Sequence, residues 1–234
     1  MGRFGSPGFA IGSRSRMGTL ERRSANYMTD IMYNVNHCGG FEEVWMKVSR
    51  EEAARNRERI LDAASQLFRE RGFDGIGVSD LMKSVGLTHG GFYGHFSSKD
   101  DLMAQACDRA LARSLEAWGK RAERSPHDAL VPLARGYLSG KHRDDPGAGC
   151  LVAALGPDAA RQGPAVRHAV TERLRQLFEL LARLVPGRSG QRRRQMAIST
   201  YASWIGAMIM ARAVDDQALS QEILDAVLAS SSKS

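Results

Sequence analysis

Two short helical patterns joined by a tight turn at a glycine constrain this chain more than any other feature in it. The stretch is VSDLMKSVGLTHGGFYGHF, residues 78–96. Val78, Leu81, Met82 and Val85 recur at helical spacing, so the first helix buries one face. Gly86 follows directly, where a left-handed residue most readily ends a helix. A second helix is expected to open at Thr88, whose hydroxyl suits an N-cap, with Leu87 and Phe92 spaced for a hydrophobic staple. Two helices joined in this way form a helix-turn-helix, whose second helix enters a DNA major groove.

That second helix is thinned by Gly90, Gly91 and Gly94, each roughly 1 kcal/mol worse than Ala inside a helix. A helix that only packs seldom carries three. Glycine lets a foreign backbone come close, and a sugar-phosphate strand is such a backbone. His89, Tyr93 and His95 supply hydrogen-bonding groups alongside. The competing reading is an ordinary helical hairpin with its Tyr and His in a core.

From about Arg57 to Leu102 the residues resemble the DNA-binding domain of the tetracycline-repressor (TetR) family of bacterial regulators. ILDAASQLFRERGF, the stretch above and SSKDDL carry the likeness, with Gly72, Val78, Val85, Gly86, Gly90, Phe92, Tyr93, Phe96 and Lys99 in register. The family's usual Ser-Lys-Gly-Thr opening is here Thr88-His89-Gly90-Gly91, which removes a cation and a hydroxyl. The resemblance implies an all-α chain: an N-terminal three-helix helix-turn-helix domain, then a helical effector-binding and dimerisation domain. It implies a homodimer on double-stranded operator DNA, acting as a repressor released by a small-molecule effector. Thr88, Tyr93, His95 and Lys99 then hold phosphates. His89, Gly90 and Gly91 meet base edges, and Ser79 joins the same interface.

Charge alone does not find this region. The net charge is +7, yet residues 47–100 hold nine Lys/Arg against eight Asp/Glu. No run of 18 apolar residues exists to span a membrane, and a reducing cytoplasm is the expected compartment. Cys38, Cys107 and Cys150 are unevenly spaced and form no CxxC pair, which argues against a disulfide framework or a zinc site. No GxSxG, HExxH or phosphate loop is present, so neither an enzyme nor a cofactor is expected. Cys150, beside Gly147 and Gly149, is the best nucleophile candidate, but no spacing ties it to a base. A regulator sensing redox state through Cys107 or Cys150 is an alternative, and it requires an exposed thiol with a lowered pKa. Non-specific DNA binding and an enzyme carrying a helix-turn-helix are the others.

Residues 1–45, rich in Gly, Ser and Arg and without periodicity, are expected to be a disordered extension. A rival role is a basic arm in the minor groove. Residues 46–97 form the DNA-binding domain and 98–234 the body. Ser49 with Glu52 makes a capping box for a first helix ending at Gly72. Arg55 and Arg57 lie near its start, placed to touch phosphate or simply to be solvated. Ser97 and Ser98 can cap the helix carrying Trp118. Further helices are expected at about 127–140, 150–161, 164–185, 190–214 and 218–229, with 141–149 a loop. Trp118, Tyr137, Cys150, Trp204 and Met208 are candidates for lining a mostly apolar effector pocket. Ala202, Ser203, Gly206 and Ile209, with Ile223, Leu224 and Val227, resemble the family's dimer-forming surface.

Overall fold

The structure is a computed structural model that describes residues 41–124 and 129–231, with side chains from Ser49 onward. All regular structure among these residues is helical, in keeping with the all-α expectation. The helices are α1 (Phe41–Arg71), α2 (Val78–Ser84), a 3-10 helix (His89–Gly94), α3 (Lys99–Arg124), α4 (Leu130–Tyr137), α5 (Gly140–Asp144), α6 (Leu151–Arg161), α7 (Pro164–Leu184), α8 (Gly190–Ala213) and α9 (Gln217–Ser231). The chain divides into two compact units, residues 1–52 and 53–234. Of the first, only 41–52 are described, as the opening turns of α1. The packing that follows belongs to the second.

Glycines punctuate the first half where the backbone turns left-handed. Gly72, at φ +78°, ends α1 and donates to the Phe68 carbonyl at 2.8 Å. Gly86, at φ +72°, ends α2. There the Gly86 N–H reaches the Lys83 carbonyl at 3.0 Å and the Leu87 N–H reaches Met82 at 2.9 Å, the paired bonds of a Schellman cap. Ser98 caps α3 as expected, its hydroxyl accepting from the Asp101 N–H at 3.0 Å. The Asp101 carboxylate accepts in return from the Ser97 N–H at 3.0 Å. The amide of Gln105 and the Ser97 N–H hold this carboxyl below its usual range, the amide contributing most.

Four local expectations are corrected. The first helix runs through Ser49, so the Ser49–Glu52 capping box does not form; polar side chains cap a helix only where the backbone leaves it. Residues 41–45 are helical, while residues 1–40, with the expected extension and its rival arm, lie outside the described residues. The second helix-turn-helix element is a six-residue 3-10 helix, and the Thr88 side chain makes no cap bond. Three glycines leave too little α propensity for a full helix, and the single buried anchor Phe92 holds a shorter turn. The loop expected at 141–149 contains α5.

Two hydrophobic cores share α3. The first gathers Ile60, Phe68, Phe73, Leu81, Met82, Phe92 and Phe96 around the first half of α3, with Leu151 and Leu155 of α6 and Val166 of α7. The second gathers Leu133 and Tyr137 of α4, Leu177 and Leu181 of α7, Trp204 and Met208 of α8 and Leu224 of α9. α3, about 39 Å long at 1.5 Å per residue, carries Lys99 at one end and packs Trp118 against the second core. Arg173 of α7 clamps Asp108 of α3 with two bonds of 2.6 and 2.8 Å. Arg109 and Arg113 of α3 reach Asp62 of α1 at 2.5 and 2.7 Å.

Candidate DNA interface and effector cavity

The helix-turn-helix face is built on Phe92. This ring is 1% exposed, stacks on Phe96 at 5.7 Å and fixes which side of the 3-10 turn looks outward. Thr88, His89, Gly90, Gly91 and Gly94 are exposed, and Tyr93 is 67% exposed. Tyr93 meets His89 edge-on at 6.1 Å, so the two rings brace one another on the open side. His95 and Lys99 are half-buried at the margins, and Ser79 is half-buried in the first turn of α2. The eight residues expected to face DNA therefore fall within α2, the 3-10 turn and the start of α3.

The glycines in the turn have no internal reason to be there. A Cβ added at Gly90 or at Gly94 meets nothing within 4 Å, and at Gly91 only ordinary contacts with Thr88 Oγ1 and Met82 Cε. None of the three has a positive φ. Gly86, eight residues before Gly94, is the opposite case, since its φ alone strains any other residue.

Arg57, weighed as a phosphate contact, is engaged internally. Its guanidinium lies 5.2 Å over the Phe96 ring and donates to Gln105, which holds Asp101 at 2.7 Å. Arg59 donates to the Val85 carbonyl at 2.6 Å. These contacts fasten the 3-10 turn between α1 and α3.

The body holds a cavity of about 360 Å³ between α3, α4, α5, α8 and the loop before α6. Trp118, Tyr137 and Cys150, all expected, line it. Trp204 and Met208 do not: both are 0% exposed and pack behind the wall, where the Trp204 indole donates to Ser231 Oγ at 2.9 Å. Tyr201 and His142 line it and were not expected from sequence. Trp118 stands edge-on to Tyr137 and Tyr201 at 6.0 and 5.9 Å, making an aromatic corner.

His142 holds the wall together. Its Nε2 accepts from the Cys150 N–H at 2.7 Å, and its Nδ1 lies 2.6 Å from the Tyr137 carbonyl. A backbone N–H can only donate and a carbonyl only accept, so the ring is neutral with its proton on Nδ1. Burial lowers the His142 pKa and favours the same state. The Cys150 thiol and the Tyr201 hydroxyl are 3.2 Å apart. Burial raises both the Tyr137 and the Tyr201 phenols well above 10, so both stay protonated. Cys107 is buried in the first core, and burial pushes its thiol up to about 12, the reverse of a reactive cysteine.

The loop that closes this cavity also touches α1. Gly147 is buried, and its carbonyl accepts from Arg69 Nε of α1 at 2.7 Å. Arg69 also donates to Ser65 Oγ at 2.8 Å. Asp145, Ala148, Gly149 and Cys150 on either side of Gly147 line the cavity.

On α8, Ile198, Ala202 and Ile209 are exposed at spacings of four and seven, beside Ser203 and half-buried Gly206. Ile223 and Val227 of α9 are half-buried, and Met210 is 51% exposed. Leu224, expected on the same surface, is 0% exposed and belongs to the second core of the chain itself. Among the described residues no helix is long and apolar enough to cross a membrane, and no His/Cys/Asp/Glu group could hold a metal ion.

Comparison with known proteins agrees with this geometry. Residues 60–106 match the model for bacterial regulatory proteins of the tetR family. The chain is 27% identical over 166 residues to the HTH-type transcriptional repressor NemR of Escherichia coli, across 67% of this chain and 83% of NemR. It is 35% identical over 98 residues to the HTH-type transcriptional repressor AcnR of Corynebacterium diphtheriae, across 42% of this chain and 48% of AcnR. The crystal structure of the reduced form of E. coli NemR superposes with a TM-score of 0.65 at 24% identity, over 76% of this chain and 96% of that one. A TetR-family regulator from Agrobacterium tumefaciens gives 0.64 at 22%, over 76% and 97%. Residues 60–106 thus carry the tetR-family domain of bacterial regulatory proteins, and the chain shares its fold with solved structures of that family.

Proposed function

We propose that this protein is a homodimeric repressor that grips operator DNA with the turn around Phe92 and lets go when a small molecule fills the cavity beside Cys150. The observation that carries the DNA half is the open space at Gly90 and Gly94. Glycines that nothing in the chain requires, on an exposed face beside His89 and Tyr93, suit close approach of a phosphate backbone. Thr88, Tyr93, His95 and Lys99, with Ser79, are assigned to phosphates. His89, Gly90 and Gly91 are assigned to base edges, Gly91 through shape. The apolar stripe on α8 supports pairing with a second copy, which sets two reading turns at successive major grooves, about 34–36 Å apart or a related spacing.

The release half rests on the contact between cavity and α1. A ligand can shift the protein only if it prefers one arrangement of the body. The loop carrying Asp145 to Cys150 is both cavity wall and, through the Gly147 carbonyl, the seat of Arg69. A ligand that moves this loop therefore moves α1 relative to α3.

A footprint on the DNA immediately upstream of the coding region, with and without cell metabolites, tests the reading. Two symmetry-related protected segments that vanish with some metabolite are expected. Protection without symmetry, or insensitive to every metabolite, contradicts it.

One observation favours a second mode of release. Cys150 sits on the cavity wall with its thiol beside Tyr201, so an electrophile entering the cavity meets sulfur. If this mode operates, an alkylating agent frees the wild type from DNA and leaves Cys150→Ser bound.

A further inference from the structure

Taking the effector-cavity reading as its starting point, we infer that the cavity accepts a planar, conjugated carboxylate, with its ring in the aromatic corner of Trp118 and Tyr201 and its carboxyl group accepting from the Tyr137 hydroxyl. Two buried side-chain polar atoms among the described residues have no hydrogen-bond partner, Tyr137 Oη and Arg212 Nη1, and both belong to this region. Tyr137 lines the cavity, and the Arg212 Nη2 atom donates to the carbonyl of His142, another wall residue, at 2.7 Å. A phenol and a guanidinium both donate, so what is missing is an acceptor. Buried donors are seldom left unpaired.

The acceptors nearby are weak or engaged: the Cys150 sulfur beside the Tyr137 hydroxyl is a poor acceptor and already faces the Tyr201 hydroxyl at 3.2 Å. His142 Nε2 receives the Cys150 N–H, and the carboxylate of Asp145 receives the Ala148 N–H at 3.0 Å. Asp145 is also the sole acid in the lining, against Arg121 and Lys141. Arg212 donates to the carbonyls of Arg143 and His142 and meets no carboxylate in its hydrogen bonds. Arg69 likewise donates only to Gly147 and Ser65. Asp145 acts on Arg69 and Arg212, and Asp144 is paired with Arg143. Arg69, Arg121, Lys141 and Arg212 therefore leave the surroundings net positive, which favours an anion over a cation of the same shape.

The volume of about 360 Å³ lies near the lower end of ligand pockets, roughly 300–1,000 Å³, which suits one or two rings. Aromatic faces and edges at about 6 Å from one another leave ring-shaped surface, and a flat ligand can continue the edge-to-face pattern.

Benzoate, cinnamate and 2-naphthoate, with cinnamylamine as the cationic counterpart, test this on the full-length protein by calorimetric titration. At least one carboxylate is expected to bind with a dissociation constant below 1 mM, roughly −4 kcal/mol, and cinnamylamine at least tenfold more weakly than cinnamate. Tyr137→Phe is expected to weaken the best carboxylate tenfold or more while its melting profile shows a folded protein. Trp118→Leu, in a different helix, is expected to weaken it as well. Equal affinity in wild type and Tyr137→Phe, cinnamylamine binding as tightly as cinnamate, or no binding by any of the three carboxylates each overturns the assignment. Release from operator DNA is measured in parallel. Carboxylate binding without release sinks the effector reading alone, and release by cell metabolites without carboxylate binding sinks the ligand class alone.

Discussion

Alanine at Gly90 or Gly94 separates a structural role from a DNA-facing one, because the two predict opposite signs. Neither position has a positive φ, and a new Cβ at either has nothing within 4 Å. Replacing glycine by alanine in a compatible conformation stabilises by about 0.4–1 kcal/mol, chiefly by restricting the unfolded chain. For a domain of this size that raises Tm by roughly 1–4 °C. The same methyl group pushes against a phosphate backbone seated on the turn. Losing one charge-assisted hydrogen bond there costs about 1.5–3 kcal/mol, or roughly 10–150-fold in affinity. Thermal melting and fluorescence anisotropy on an operator fragment, at one stated salt concentration, read both effects. Gly86→Ala serves as the contrast, since φ +72° makes alanine cost roughly 1–2 kcal/mol there. If Gly90→Ala and Gly94→Ala both melt higher and bind DNA as tightly as wild type, the turn is not the seat of the backbone.

Other consequences follow from the same contacts. Arg69→Met, which keeps the stem and removes the bond to Gly147, is expected to leave operator binding within about threefold while blunting effector release; normal release in a titration would discard the proposed coupling. Ile209→Glu places a charge on the α8 stripe and is expected to shift sedimentation towards the monomer and reduce operator affinity at least tenfold. A dimer that persists at micromolar concentration would move the interface elsewhere. His142 is neutral when folded and its pKa is lowered by burial, with the Tyr137 carbonyl and Asp145 opposing the shift and Arg212 adding to it. The unfolded chain then takes up the proton first, so stability is expected to fall as pH drops below the ordinary value of 6.5. Chemical denaturation from pH 7.5 downward should show this slope in wild type and a shallower one in His142→Gln.

The helix-turn-helix was legible because its signals are local. Gly86 needs only its own φ, and Ser98 needs only the residues one turn on. The 3-10 turn was missed because pattern distinguishes helix from strand far better than one kind of helix from another, and three glycines decided the matter. Ser49 misled because a serine inside a continuing helix looks like a cap until the preceding backbone is known. In the body, Trp118, Tyr137 and Cys150 were found as bulky or polarisable residues on inner faces. Trp204 and Met208 share that description, yet they lie behind the wall: periodicity gives an inward direction but not whether space or another side chain waits there. Leu224 failed for the same reason. His142 and Tyr201 went unseen because only the packing of α5 and α8 brings them to Cys150.

The central claim is that this turn reads particular DNA. Its most direct test is competition of the upstream fragment against unrelated duplex of equal length, at a fixed salt concentration near physiological. The upstream fragment is expected to bind at least about 10³-fold more tightly, and equal affinity for the two would contradict sequence-specific recognition by this turn.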